Sequence, residues 1–151
     1  MNKPSLVVAS DHRGVHLKSE LTHFLKSKGY SVEDLGPNSE DSVDYPDYAI
    51  KAAQAVSTGK AALGIVICHS GIGVSVSANK VKGVRAALCQ TEEQAELARK
   101  HTDANVLALP AGFVTPELGK KIVLKWLNAK FEGGRHEKRI GKIKEFEERK
   151  K

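Results

Sequence analysis

Between Ile67 and Lys80 the chain reads ICHSGIGVSVSANK, with a cysteine, a histidine and a serine directly before two glycines at the end of an apolar run. A turn of this kind, leading from strand to helix, points backbone N–H groups outward, where they favour a bound anion or a developing oxyanion. Gly71 and Gly73 allow close approach of the backbone to a ligand. Cys68 beside them has the surroundings of a reactive sulfur, and a small buried core thiol is the alternative reading.

Three more stretches carry candidate chemistry. In SDHRG, Asp11 and His12 follow a strand end and suit hydrogen bonds to substrate hydroxyls; Asp11 as a plain helix cap is the other reading. In RKHTDANVLALP, His101 closes a helix before a strand and could serve as a general acid or base near neutral pH, or simply face the helix dipole. Asp103 and Asn105 read as turn formers. The topology is expected to bring His101 toward the same crevice as Cys68. In GGRHEKR, Arg135 and Arg139 stand at i and i+4 with His136 between them, a pairing that suits a phosphate or, failing that, a solvated basic face.

Several named alternatives fail on spacing. No Gly-x4-Gly-Lys run exists for a P-loop. GIGVSVS lacks the third glycine of a dinucleotide fingerprint. A phosphatase cysteine would want an Arg where Val74 stands, and Cys68–His69 has no second ligand pair for zinc.

The elements that must position these residues alternate from end to end. Strands are expected at SLVVAS, YSVEDL, AALGIVIC, VRAALC and NVLALP. Between them lie helices from Val15 to the stop at Gly29, from Pro46 to about Ser57, through VSVSANK, and over EEQAELARKH. Thr115 caps a last long helix with Pro116 in its first turn, EGG breaks it, and a charged tail helix follows. This order predicts an α/β protein: a Rossmann-like three-layer α/β/α sandwich on a five-stranded parallel sheet, with ligands beyond the carboxyl ends of the strands.

The 151 residues suit one domain, residues 1–151, and 40% hydrophobic with 28% charged residues is an ordinary globular composition. At 5% aromatic content, a stacking platform for single strands is not expected. Of the net charge of +6, four units sit between Arg135 and Lys151, interleaved with Ile140, Ile143 and Phe146 at helical spacing. That is an amphipathic helix rather than a nucleic-acid motif, so no nucleic-acid partner is expected. No run is long enough for a membrane span, and the apolar part of MNKPSLVVAS is too short for a secretory signal. With only Cys68 and Cys89 there is no disulfide framework, and a reducing, cytoplasmic setting is the default expectation.

Taken together, SDHRG, DYPDYA, GIVICHSGIGVSVSANKVKGVRAALC, HTDANVLAL and FEGGRHEKR resemble, in order and over essentially the whole chain, the type B ribose-5-phosphate isomerases and the related galactose-6-phosphate isomerase subunits. The resemblance implies an aldose–ketose isomerase on ribose 5-phosphate and ribulose 5-phosphate, with no metal and no organic cofactor. It implies a homodimer or homotetramer with sites at the subunit interface, the tail from residue 134 to 151 packing on a partner. By position it casts Cys68 as the base, Ser70 as the hydroxyl that handles protons between substrate oxygens, and His101 as the ring opener. The backbone from Ser70 through Gly71 and Ile72 to Gly73 would stabilise an enediolate. Asp11 and His12 would hold sugar hydroxyls, Tyr45 would line the site, and Arg135, His136 and Arg139 would meet the phosphate.

Three positions depart from the family pattern. His69 stands where the family usually has Gly, Thr102 where it has Asn, and Gly112 where it has Arg. These departures raise a second expectation, the same chemistry on another sugar or a hexose 6-phosphate. A non-catalytic sugar-phosphate binding protein is a further alternative.

Overall fold

The computed structural model describes residues 2–149. Five parallel strands form one sheet: β1 (Leu6–Ser10), β2 (Val32–Asp34), β3 (Leu63–Cys68), β4 (Ala86–Leu88) and β5 (Val106–Pro110), in the order β2-β1-β3-β5-β4. The helices are α1 (Val15–Ser27), α2 (Tyr45–Ser57), α3 (Ile72–Ala78), α4 (Glu92–Thr102), α5 (Pro116–Asn128) and α6 (Arg135–Arg149). This is the expected α/β architecture, and each connection does what its sequence suggests. Gly29, at φ 91°, closes α1 with its own N–H on Lys26 O while Tyr30 N–H returns to Leu25 O, a paired C-terminal lock. Thr115 Oγ1 accepts from Leu118 N–H at the start of α5, ahead of Pro116.

Alternation along the strands divides the core. Leu6, Val8, Ile65, Ile67, Leu107 and Leu109 face one way, onto Leu17, Leu21, Leu25, Ile122 and Trp126. Val7, Ala9, Val66, Cys68 and Ala108 face the other, onto Ala49, Ala52, Ala53, Val74 and Ala78. Both faces of β3 are therefore covered, which is why its sequence is apolar throughout.

The edge strands are shorter than the sequence suggests. YSVEDL keeps only Val32–Asp34 and VRAALC only Ala86–Leu88, because each has a partner on one side and its ends are spent elsewhere. Tyr30 closes a helix, and Arg85 N–H donates to Asn105 Oδ1. Gly133 (φ 70°) and Gly134 (φ 58°) turn the chain before α6. The tail then lies along its own chain: His136 and Ile140 are buried, and Glu147 Oε2 accepts from Gly83 N–H. The last two positions of the tail, 150 and 151, lie outside the described residues.

Candidate active site

The strand order reverses between β1 and β3, so the crevice of such a sheet opens beyond Ser10 and Cys68. Asp11 N–H donates to Ile67 O at 3.1 Å, which ties the two strand ends together. Asp11 Oδ1 caps the following 3-10 turn, accepting from Arg13 and Gly14 N–H at 2.9 and 3.2 Å, so the capping role is real. Gly14 must be glycine: a Cβ there would meet Ile67 O at 2.9 Å and Ser10 Cβ at 2.9 Å. His12 Nδ1 accepts from Val43 N–H at 3.2 Å, which leaves Nε2 to carry the proton of the neutral ring and to donate to a ligand.

The loop that holds His12 is itself anchored. Lys18, almost fully buried, donates to both carboxylate oxygens of Asp34 at 2.7 Å; Asp34 Oδ1 accepts from Gly36 N–H, and Gly36 O accepts from Ser10 N–H. Lys18 is a buried charge within α1, and the register of β2 beside β1 brings Asp34 to it.

Beyond β3 the chain makes its turn at Gly71, whose φ of 75° lies in the left-handed region and is reached at little cost only by glycine. Ser70 Oγ accepts from Ile72 N–H at 3.2 Å. Cys68 O and His69 O accept from Ala111 and Gly112 N–H, both at 2.9 Å, so the turn is stitched to the end of β5. Tyr45, at the start of α2, lays its ring over Gly73; a Cβ there would meet Tyr45 Cζ at 2.7 Å. The His69 ring tilts against Phe113 at 5.6 Å and fills the space a side chain at Gly112 would need, its Nε2 2.7 Å from where that Cβ would stand. Asp11, His12, Tyr45, Cys68, His69, Ser70, Gly71, Ile72, Gly73 and Gly112 thus gather at the carboxyl edge. Cys89 is the contrasting thiol: it is buried in the other core layer, and burial pushes it up to about 11.

The second group lies elsewhere. A helix that precedes a parallel strand ends at the amino edge of the sheet, and there His101 and Thr102 stand, just before β5. The five residues of β5, at about 3.3 Å each, put roughly 16 Å of sheet between them and Cys68. Within one chain, then, the expected convergence of His101 and Cys68 does not occur. Asp103, left-handed at φ 49°, ends α4; its carboxylate meets Arg99 at 3.1 Å and Arg85 at 3.7 Å. Thr102 donates to Ala98 O and faces a groove of about 630 Å³ walled by Arg85, Ile143 and Phe146.

Glu132 N–H donates to Lys100 O, which draws the start of α6 onto the end of α4. His136 stacks on His101, with ring centroids 4.2 Å apart and planes 9° from parallel. Arg135 and Arg139 are exposed, and among the described residues neither is ion-paired. Glu132 escapes the sequence reading, although its i, i+4 spacing to His136 was visible.

An α/β sheet with a thiol, a hydroxyl and outward N–H groups at one edge, and imidazole and guanidinium groups at the other, has the parts of an acid–base enzyme acting on a small anionic substrate. The model of the ribose/galactose isomerase family matches residues 6–143, and the chain belongs to that family. It is 50% identical over 151 residues to a probable ribose-5-phosphate isomerase B of Mycoplasma pneumoniae, covering 99% of each chain. Among solved structures it is similar to ribose-5-phosphate isomerase B of Clostridium thermocellum, with TM-score 0.96, 48% identity and coverage of 97% and 99% of the two chains. It is also similar to the enzyme of Mycoplasma genitalium with bound ribulose-5-phosphate, with TM-score 0.91, 49% identity and coverage of 95% and 96%. No helix among the described residues is long and apolar enough to cross a membrane.

Proposed function

We propose that the protein is an aldose–ketose isomerase that interconverts ribose 5-phosphate and ribulose 5-phosphate, and that each site is assembled from two copies of the chain. One copy contributes the carboxyl edge and the other the amino edge, in a homodimer or a homotetramer built from such pairs. The observation that carries this reading is the separation itself: Cys68 and His101 lie at opposite edges of one sheet, in a chain similar to solved ribose-5-phosphate isomerase B structures.

His101 of one copy protonates the furanose ring oxygen and opens the sugar. Cys68 of the other then moves a proton between C2 and C1 through a cis-enediolate. Ser70 Oγ passes the accompanying proton between O1 and O2, and the N–H groups from Ser70 to Gly73 stabilise the developing charge. Asp11, His12 and Tyr45 hold the chain of hydroxyls. Arg135 and Arg139 receive the phosphate, two guanidiniums one helical turn apart, while the His136 ring between them, expected at the phosphate too, is buried against His101 and supports that ring instead. His69 and Thr102 border the substrate at the two edges.

A second substrate, a hexose 6-phosphate or another aldose, is favoured by one feature: the His69 ring occupies the space beside Gly112, which reshapes the crevice next to the base. The test is turnover of ribose 5-phosphate by the purified protein, beside a panel of aldoses and beside Cys68→Ala. The expected result is highest kcat/KM on ribose 5-phosphate and a loss of about 10²- to 10⁴-fold in the variant. Preference for another sugar refutes the substrate, and full activity of Cys68→Ala refutes the base.

A further inference from the structure

His101, Glu132 and His136 bring two imidazole nitrogens and a carboxylate oxygen within 4.8 Å of one another. That is the donor set of a cation site, but the orientation argues otherwise. Imidazole lone pairs lie in the ring plane, and two planes 9° from parallel direct them side by side rather than onto one point.

What the arrangement does is fix one ring. His136 is buried to 5% exposure, and its Nε2 is sealed from solvent without a hydrogen-bond partner. A buried polar atom left so is costly, and its nearest acceptor is Glu132 Oε1 at 3.5 Å. The same oxygen lies 3.7 Å from Nε2 of His101, a residue only partly buried. A shift of a few tenths of an ångström would let Oε1 accept from both rings. The His101 side chain is thus stacked on a fixed plate and faced by a carboxylate, with Nδ1 left as the nitrogen for a ligand. The other charges facing the pair are Arg135 and Arg139 of α6; on α4, Lys100 is engaged with Glu96. Burial first, then the charges of His101 and Arg135, hold the His136 imidazole below its ordinary value against the pull of Glu132, which favours the uncharged ring.

We infer that Glu132 and His136 are positioning residues for ring opening, holding His101 so that it delivers its proton to the sugar ring oxygen. This rests on the reading of His101 as the ring opener. In that step O4 takes the proton from His101 as the C1–O4 bond breaks, O1 gives its proton to water, and C1=O1 forms with no net oxidation. Ribulose 5-phosphate has its fifth oxygen esterified and cannot close a furanose ring. Exchange of its C1 proton with solvent therefore needs Cys68 and the enediolate but no ring chemistry.

The experiment compares two rates in deuterated buffer: ribose 5-phosphate turnover, and deuterium entry at C1 of ribulose 5-phosphate. It uses the wild type, His101→Asn, Glu132→Gln and His136→Phe, which keeps a stacked ring of similar size. Glu132 is exposed enough for Gln to be accommodated. Expected is a fall of about 10- to 100-fold in aldose turnover by Glu132→Gln, at nearly unchanged KM, with C1 exchange kept within about twofold. Partial recovery in Glu132→Asp supports the same conclusion. If His101→Asn separates the two rates while Glu132→Gln lowers both equally or neither, the positioning role is overturned. If His101→Asn itself fails to separate them, the ring-opening reading falls and takes this inference with it.

Discussion

The two edges of the sheet are built on opposite plans. At the carboxyl edge, position is set by backbone: strand ends cross-linked by N–H donors, a left-handed glycine at residue 71, and rings of Tyr45 and His69 resting where Gly73 and Gly112 lack side chains. At the amino edge, position is set by long side chains on two helix ends: stacked imidazoles, a shared carboxylate and two exposed guanidiniums. The first plan suits carbon acid chemistry, where the base and the N–H groups must hold still while charge develops. The second suits capture and release of a phosphate and delivery of a proton to a ring oxygen. One chain carries both, facing apart.

That contrast is broken or upheld most decisively by mixing defects. Cys68→Ala and His101→Asn should each be inactive on ribose 5-phosphate. If sites pair the edges of different chains, dissociating and reassociating equal amounts of the two variants creates mixed dimers, each with one intact site. With random reassortment half the dimers are mixed, so activity should return to about a quarter of wild type. Activity staying at zero after verified exchange of subunits would mean that both residues serve from the same chain.

A smaller effect separates the two plans in stability. Ala at Gly71 must adopt φ 75° and place its Cβ 2.5 Å from Leu88 Cδ1 and 3.1 Å from Leu109 C. Left-handed strain and overpacking together predict a cost of about 2–4 kcal/mol, with loss of activity as the turn shifts. Ala at Gly134 has comparable strain at φ 58° but meets nothing within 4 Å, so about 1 kcal/mol is expected. Urea unfolding of the two variants measures the gap; equal midpoints would show that the carboxyl turn is no more tightly built than the tail hinge.

Much of this was legible in the sequence, for definable reasons. Apolar runs bounded by glycine and proline mark the strands and helices, and the rule that ligands sit beyond strand ends points to Asp11 and Cys68 from residue order alone. His101 marks the limit of that rule: it stands just before β5 in sequence, and a residue before a parallel strand lies at the strand's amino end, away from the crevice. Tyr45 over Gly73, Asp34 on Lys18 and Glu132 between two histidines depend on which strands are neighbours and how helices settle on them. Local periodicity does not encode that information.

The smallest expected effect concerns pH, and it belongs to the amino edge alone. The buried His136 ring takes up a proton less readily in the folded chain than in the unfolded one, because burial and the charges of His101 and Arg135 oppose it. The unfolded chain binds that proton near pH 6.5, so it holds more protons than the folded chain as the pH falls below that value. Stability contributed by the neutral ring is therefore complete above about pH 6.5 and is lost progressively on acidification. His136→Phe removes the titrating group and keeps the stacked ring, so its urea midpoint should fall less between pH 7.5 and 5.5 than the wild type's. Cys68→Ala, at the other edge, should follow the wild-type slope over the same range. Parallel slopes for His136→Phe and wild type would mean that the ring is protonated at no cost, and that the amino edge is looser than its burial suggests.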